Sequence, residues 1–339
     1  MEKVIFDFDA SIQDELNRLE WWIKTNQDKA DTHQPCMVRM MEGEIHFTKK
    51  DIFLFRLKDD ILPKWPNNNI ALIMSDVRLE QNIEKWFGKK DTLIPVSHPL
   101  ALLKRTISYM NDKSIVQPKA HNRIQRKYIC LNAAAKKHRA DLLTDIFAKG
   151  YQADGFYSWL NRYGTMKQKQ FERPEIFAGM TANLDFDGKQ IEEGNTQELL
   201  PPQYWYAGFD IVQESIVSDT SMFITEKTWK PILFSKIFIP HGTKGMIGWL
   251  KQNGFEPYDE LYDSSFDDLP YEKRYKALLV EIEKLIKMTV GDWKDVYNDK
   301  EIKQKLAHNQ NHFRNMAIPN WQRILDDKQR IKQRDASQV

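Results

Sequence analysis

Apolar and polar positions in this chain alternate between short unbroken apolar runs and stretches with helical spacing. The first run, Val4–Phe8, has strand length and gives way to Ser11, with Asp14 three residues on, a capping-box-like helix start. Leu16, Leu19 and Ile23 then recur at helical intervals, predicting an amphipathic helix over 11–25. Apolar runs at Ile52–Phe55, Ile70–Met74 and Thr92–Val96 are each followed by polar or turn residues and another helical pattern. Strand alternating with helix predicts a mostly parallel sheet with helical crossovers. The stretch 111–127 is polar and contains Pro118, which makes it the expected linker, centred on 116–127.

A second unit opens with the apolar Tyr128–Asn132 and the basic run Lys136-Lys137-His138-Arg139. A helical stretch, Ala140–Lys149, follows, with Gly150 placed to stop it. Residues 165–203 are polar and without period, as in an inserted loop. Strand, helix and strand return at Phe209–Val212, Glu226–Ser235 and Ile237–Pro240. Leu278, Leu279, Ile282, Leu285 and Ile286 then give Tyr271–Met288 a strong helical period. The expected architecture is α/β: an N-terminal domain 1–115, the linker, a C-terminal domain 128–300, and a helical basic tail 301–339.

Composition narrows the picture. The 41% hydrophobic and 12% aromatic fractions are those of a folded chain, long enough at 339 residues for two cores. Fifty basic side chains against 48 acidic ones announce no nucleic-acid partner, although basic residues cluster at Lys136–Arg139 and Lys328–Arg334. Cys36 and Cys130 are the two cysteines and lack CxxC spacing, so neither a disulfide framework nor a thiolate metal site is expected. MEKVIFDF does not have the order of a signal peptide, and Pro231–Pro240 is too short to span a membrane. The expectation is a soluble cytosolic protein without stable membrane insertion, in a bacterium or a virus-infected host.

The richest chemistry lies in Phe223-Ile224-Thr225-Glu226-Lys227, which leads into a helix and then an apolar strand. In open α/β sheets ligands sit beyond the carboxyl ends of the strands, where helix N-termini face anions. There a carboxylate can accept from ribose hydroxyls and a lysine can neutralise a diphosphate. The plainer reading is a solvated Glu-Lys pair on a first turn. The surroundings favour the functional one, because the stretch resembles the donor-binding signature of the α-1,3/1,4-fucosyltransferase family over about residues 126–245. That signature runs Phe-Glu-Asn-Ser, a spacer, then Tyr-x-Thr-Glu-Lys; here stand Val212-Gln213-Glu214-Ser215 and Phe223-Ile224-Thr225-Glu226-Lys227. The family's Asn is not kept after Glu214, its Tyr is Phe223, and the spacer is longer. Upstream, Tyr128–Asn132 and then Arg139 match the strand, Ser-Asn pair and diphosphate-binding arginine that open the family's C-terminal domain.

The resemblance implies a GT-B-like fold of two Rossmann-like domains facing across a cleft. It implies an inverting, metal-independent glycosyltransferase with a nucleotide-diphosphate sugar as donor substrate and no cofactor. The donor-binding residues would be Asn132, Arg139, Glu214, Ser215, Phe223, Thr225, Glu226 and Lys227. A guanidinium at a helix start suits this chemistry, because charge grows on the departing diphosphate as the glycosidic bond breaks. The acceptor would be a glycan, or a hydroxymethylated base of viral DNA extruded from its stack.

Displacement also needs a base to deprotonate the acceptor hydroxyl. Asp7, Asp9, Asp76 and His98 stand at or just beyond strand ends of the N-terminal domain, though turns and helix caps favour Asp on their own account. Three other readings remain. Val4-Ile5-Phe6-Asp7-Phe8-Asp9 resembles the nucleophile motif of haloacid-dehalogenase phosphatases, but Asp267-Asp268, the later acidic pair, follows a polar loop. Asp185-Phe186-Asp187 imitates a manganese-binding motif within a polar region. A non-catalytic nucleotide-sugar-binding module is the other alternative.

Overall fold

The structure is a computed structural model. It describes residues 4–7, 36–40, 70–74 and 93–97 as strands, and residues 123–132, 136–158, 201–220 and 222–315 in fuller detail. The chain divides into two compact units, the first mainly Met1–Ala101 and the second mainly Leu102–Asp219 with Ile224–Met316.

The first unit holds a four-stranded sheet of β1 (Val4–Asp7), β2 (Cys36–Met40), β3 (Ile70–Met74) and β4 (Leu93–Ser97), in that spatial order. All three pairings are parallel, with Val4 opposite Cys36, Cys36 opposite Ile70 and Ile70 opposite Leu93. The four strands are nearly continuous apolar runs, the composition common in parallel sheets. The expected strand at Ile52–Phe55 and helix over 11–25 lie outside the described residues.

The second unit carries a second parallel sheet: β5 (Arg126–Cys130), β6 (Gly155–Tyr157), β7 (Ala207–Gln213) and β8 (Phe238–His241). Its spatial order is β6-β5-β7-β8, so the chain steps from β5 to β6 on one side and then returns past β5 to β7 and β8 on the other. β5 begins at Arg126, within the stretch expected as linker. Its Tyr128, Ile129 and Cys130 have no solvent exposure, and every residue of β7 is buried. Helix α1 (Lys137–Ala148) follows β5, starting earlier than its apolar period indicated, so that Arg139 lies inside the first turn. Lys149 caps its C-terminus and Gly150 follows at φ 81°, the left-handed conformation that suits glycine. Helix α2 (Glu226–Leu233) connects β7 to β8.

Downstream of β8 come α3 (Met246–Gln252), α4 (Tyr271–Lys287), α5 (Val290–Asn298) and α6 (Lys300–Asn315). Trp293 of α5 stacks on Phe209 of β7, with centroids 5.1 Å apart and planes at 24°. Phe313 of α6 stacks on Trp229 of α2 at 5.4 Å, bracing that helix from the far side of the chain. The Asp267 carboxylate accepts from the backbone N–H groups of Ile247 and Gly248 at 2.7 and 3.1 Å and so caps α3. No described helix is long and apolar enough to cross a membrane.

Candidate functional site

Between β5 and β7 the order of the sheet reverses: β5 hands its chain to β6 on one side, while β7 hands its chain to β8 on the other. At such a point the two crossovers part and leave a crevice beyond the carboxyl ends of the strands. Six of the eight expected donor-binding residues lie on its β7–α2 rim or the facing start of α1: Arg139, Glu214, Ser215, Thr225, Glu226 and Lys227. Asn132 stands just past β5 on the same side.

The β7 and α2 termini are locked together by Glu214, which has no solvent exposure. Its carboxylate accepts from the Thr225 N–H at 3.0 Å, the Thr225 hydroxyl at 2.6 Å, the Thr228 hydroxyl at 2.6 Å and the Ser215 N–H at 3.2 Å. All these donors are protein groups, so in this arrangement Glu214 positions the rim. Thr225 then N-caps α2 through the Lys227 N–H at 3.3 Å. The cap fixes the direction in which Glu226 and Lys227 leave the first turn. Lys227 Nζ donates to Glu226 Oε1 at 2.7 Å and to Ser215 Oγ at 3.1 Å. Burial alone would raise the Glu226 carboxyl, but Lys227 and Lys230 outweigh it and hold Glu226 below the usual carboxylate range.

From the other side comes the first turn of α1. Arg139, only 1% exposed, donates from Nη2 to the Glu214 carbonyl at 3.2 Å. His138 Nε2 meets the same carbonyl at 3.0 Å, and Lys136 Nζ donates to the Ser215 carbonyl at 2.8 Å. Helix dipoles favour acids at the N-terminus and bases at the C-terminus. This helix inverts the rule: it has no acid in its first turn, Lys136 makes no side-chain cap bond there, and Lys137, His138 and Arg139 follow.

The positive potential is felt by the histidines. Burial, with Arg139, Lys136 and Lys227 nearby, lowers His138 to about 3. His241, the last residue of β8, is likewise held well below its ordinary value by burial and then by His138, Arg274 and Arg139. The two rings meet edge to face at 5.6 Å. Both are neutral at pH 7. Gln213 Oε1 lies 3.3 Å from His241 Nδ1, which makes Nδ1 the donor and leaves Nε2 as an acceptor. That Nε2 is buried without a hydrogen-bond partner among the described residues, as is Asn132 Oδ1. Two buried acceptors of this kind await donors. Cys130 beneath them is inert, because burial pushes its thiol up to about 12.

Phe223 is buried at 3% exposure. Asp7 is the last residue of β1, opposite Arg39 in register, and belongs to the other unit. Asp9, Asp76, His98, Asp185 and Asp187 lie outside the described residues. Among the described residues no cluster of His, Cys, Asp and Glu could hold a metal ion. Sequence reasoning missed His241, although a polar residue closing an apolar strand is the signal that marks such a position. It also missed Arg274, 4% exposed, which binds Asp219 at 2.6 Å and the Leu269 carbonyl at 2.7 Å, anchoring the chain just beyond Ser215. Nothing in local spacing marks that residue.

Compared with known proteins, the chain matches no family model, no curated protein and no solved structure.

Proposed function

We propose that the crevice between β5 and β7 takes the diphosphate of a nucleotide sugar, and that the protein is a glycosyltransferase acting on an acceptor hydroxyl. One observation carries the reading: a basic, acid-free first turn of α1 meets Lys227 of α2 at the point where the strand order reverses. Cations set against a helix dipole raise the energy of the empty protein, and an anion in the crevice offsets that cost.

A diphosphate is the anion whose charge grows during glycosyl transfer. Groups that hold it therefore bind the transition state better than the ground state. In this reading Arg139 and Lys227 neutralise the leaving group without a metal ion, and the reaction inverts the anomeric centre by direct displacement. Asn132 Oδ1 and His241 Nε2 accept from donor hydroxyl or base N–H groups, which fits two buried acceptors without a partner among the described residues. The base that deprotonates the acceptor belongs to the first unit, with Asp7, Asp76 and His98 as candidates, and the two α/β units make up a GT-B arrangement. The acceptor is a glycan or a hydroxymethylated base of viral DNA.

A thermal-shift screen of nucleotide sugars tests the reading, because a ligand that binds only the native state raises its melting temperature. At least one nucleotide-diphosphate sugar should stabilise the protein in the presence of a chelator. A flat response across the whole panel overturns the proposal.

A further inference from the structure

The Asp267 cap of α3 and the buried Lys236 each occupy positions explained by the groups they bind. His138 does not. It lies between Lys137 and Arg139 in chain order, in an acid-free first turn where cations already stand against the helix dipole. Its ring is nevertheless held by the same Glu214 carbonyl that receives Arg139, at 3.0 and 3.2 Å. An anion gripped by Arg139 is therefore a close neighbour of the imidazole.

We infer that His138 is itself an anion-binding residue that takes up a proton when an anion enters the crevice, so that ligand and proton bind together. This rests on the diphosphate reading of the crevice. Nε2–H is committed to the Glu214 carbonyl, so the incoming proton goes to Nδ1 and comes from solvent; no covalent bond to the ligand is made.

The surroundings explain why the empty site keeps His138 neutral and why a filled one would not. Facing it are Arg139 and Lys136 at the start of α1, Lys227 from α2, and neutral His241 from β8. Beyond His241 stands Arg274 of α4, with the Tyr271 and Tyr275 rings. The nearby carboxylates are spoken for: Glu226 binds Lys227, and Glu214 receives Ser215, Thr225 and Thr228. Burial and these cations hold the ring at about 3. A diphosphate diester brings two negative charges to within contact distance of Arg139. An opposite charge at that range favours the protonated imidazole. The bound-state value is then higher than the free one, and affinity rises as pH falls through the bound-state value, by up to about tenfold per pH unit for one proton.

The test uses the full chain and three probes that do not titrate near neutral pH: UDP-glucose, GDP-mannose and inorganic sulfate. Calorimetric titrations in two buffers of different protonation enthalpy count the protons taken up on binding. A fractional to full proton per ligand, with affinity tightening severalfold from about pH 8 to about pH 6, is the expected result. His138→Gln keeps a donor for the Glu214 carbonyl and should bind with a flat pH profile. Nitrogen chemical shifts of the parent's labelled histidines give a second readout, since the His138 Nδ1 resonance should move to the protonated range on saturation. Binding without proton uptake, or uptake that persists in His138→Gln, overturns this inference and leaves the diphosphate reading standing. Failure of all three probes to bind at any pH overturns both.

Discussion

Thr225 and Glu214 are joined twice, the backbone N–H of Thr225 and its hydroxyl both donating to the Glu214 carboxylate at 3.0 and 2.6 Å. The bond pair fixes the start of α2 against the end of β7 before any ligand is present. Replacing Glu214 with Ala leaves the Thr225 N–H and two hydroxyls buried without an acceptor. A buried donor left unsatisfied costs about 1–3 kcal/mol, so the loss should be about 3 kcal/mol or more in urea denaturation. Glu214→Ala at parental stability would show that the rim is not built on this carboxylate.

Arg139 and Lys227 should each contribute to binding of a nucleoside diphosphate. Charge-assisted contacts contribute about 1.5–3 kcal/mol, which predicts roughly tenfold to hundredfold weaker binding for Lys227→Ala. Arg139 is buried, so Arg139→Lys is the better variant: it keeps the charge but loses the planar fork. Turnover should fall along with affinity in both, because leaving-group charge grows in the transition state. Calorimetry and initial rates on the two variants decide it; unchanged affinity in both puts the site elsewhere.

Gly208 of β7 lies against the Trp293 ring so closely that a Cβ would come within 2.6 Å of its Cδ2 and of the Lys127 carbonyl. Neither the strand backbone nor a fully buried indole can yield cheaply. Gly208→Ala should destabilise the second unit by about 1–3 kcal/mol through overpacking. Urea denaturation followed by circular dichroism measures the change.

Lys236 is fully buried, donates to the Ala207 carbonyl and lies 5.7 Å from the ring centroids of Tyr204 and Tyr297. Burial lowers it to about 7 against the opposing pull of Asp210, which burial raises to about 7. An unfolded lysine keeps its proton to about pH 10.4. Between these values the unfolded chain therefore binds more protons, and stability gains from this residue as pH rises, by up to about 1.4 kcal/mol per pH unit. Asp210 acts in the opposite sense below neutral pH: its contribution falls as pH climbs from the ordinary carboxylate range towards 7. The tyrosines, raised by burial, begin to lose stability for the fold only in more alkaline solution. Denaturation curves from about pH 7.5 to about pH 9.5 should show a gain in the parent that Lys236→Met lacks.

Most of the second unit was legible because its strands are unbroken apolar runs whose length and order leave few alternatives. Tyr128–Cys130, Phe209–Val212 and Phe238–Pro240 all fall in strands. The start of α1 was not, because Lys137, His138 and Arg139 contribute nothing to an apolar period and break the usual charge preference of a first turn. β6 was missed for another reason. Gly155–Tyr157 is three residues long, and its place beside β5 depends on the Tyr128 ring, which lies where a Gly155 side chain would go. The triplet Thr225-Glu226-Lys227 could be picked out from its surroundings in the sequence, but the engagement of the Glu214 carboxylate could not. That depends on a chain reversal that brings α2 back onto the end of β7.

The neighbouring of β5 and β7 has a kinetic consequence. Arg139 and the Glu214 carbonyl it binds are 75 positions apart, whereas Glu214 and Thr228 are separated by only 14. Closing the longer loop costs more chain entropy before any contact rewards it. The β7–α2 corner can therefore order early by itself, while the basic turn of α1 joins it only once the central pair of the sheet has zipped. The crevice is a late product of folding, and ligand capture during refolding would register the last step of assembly.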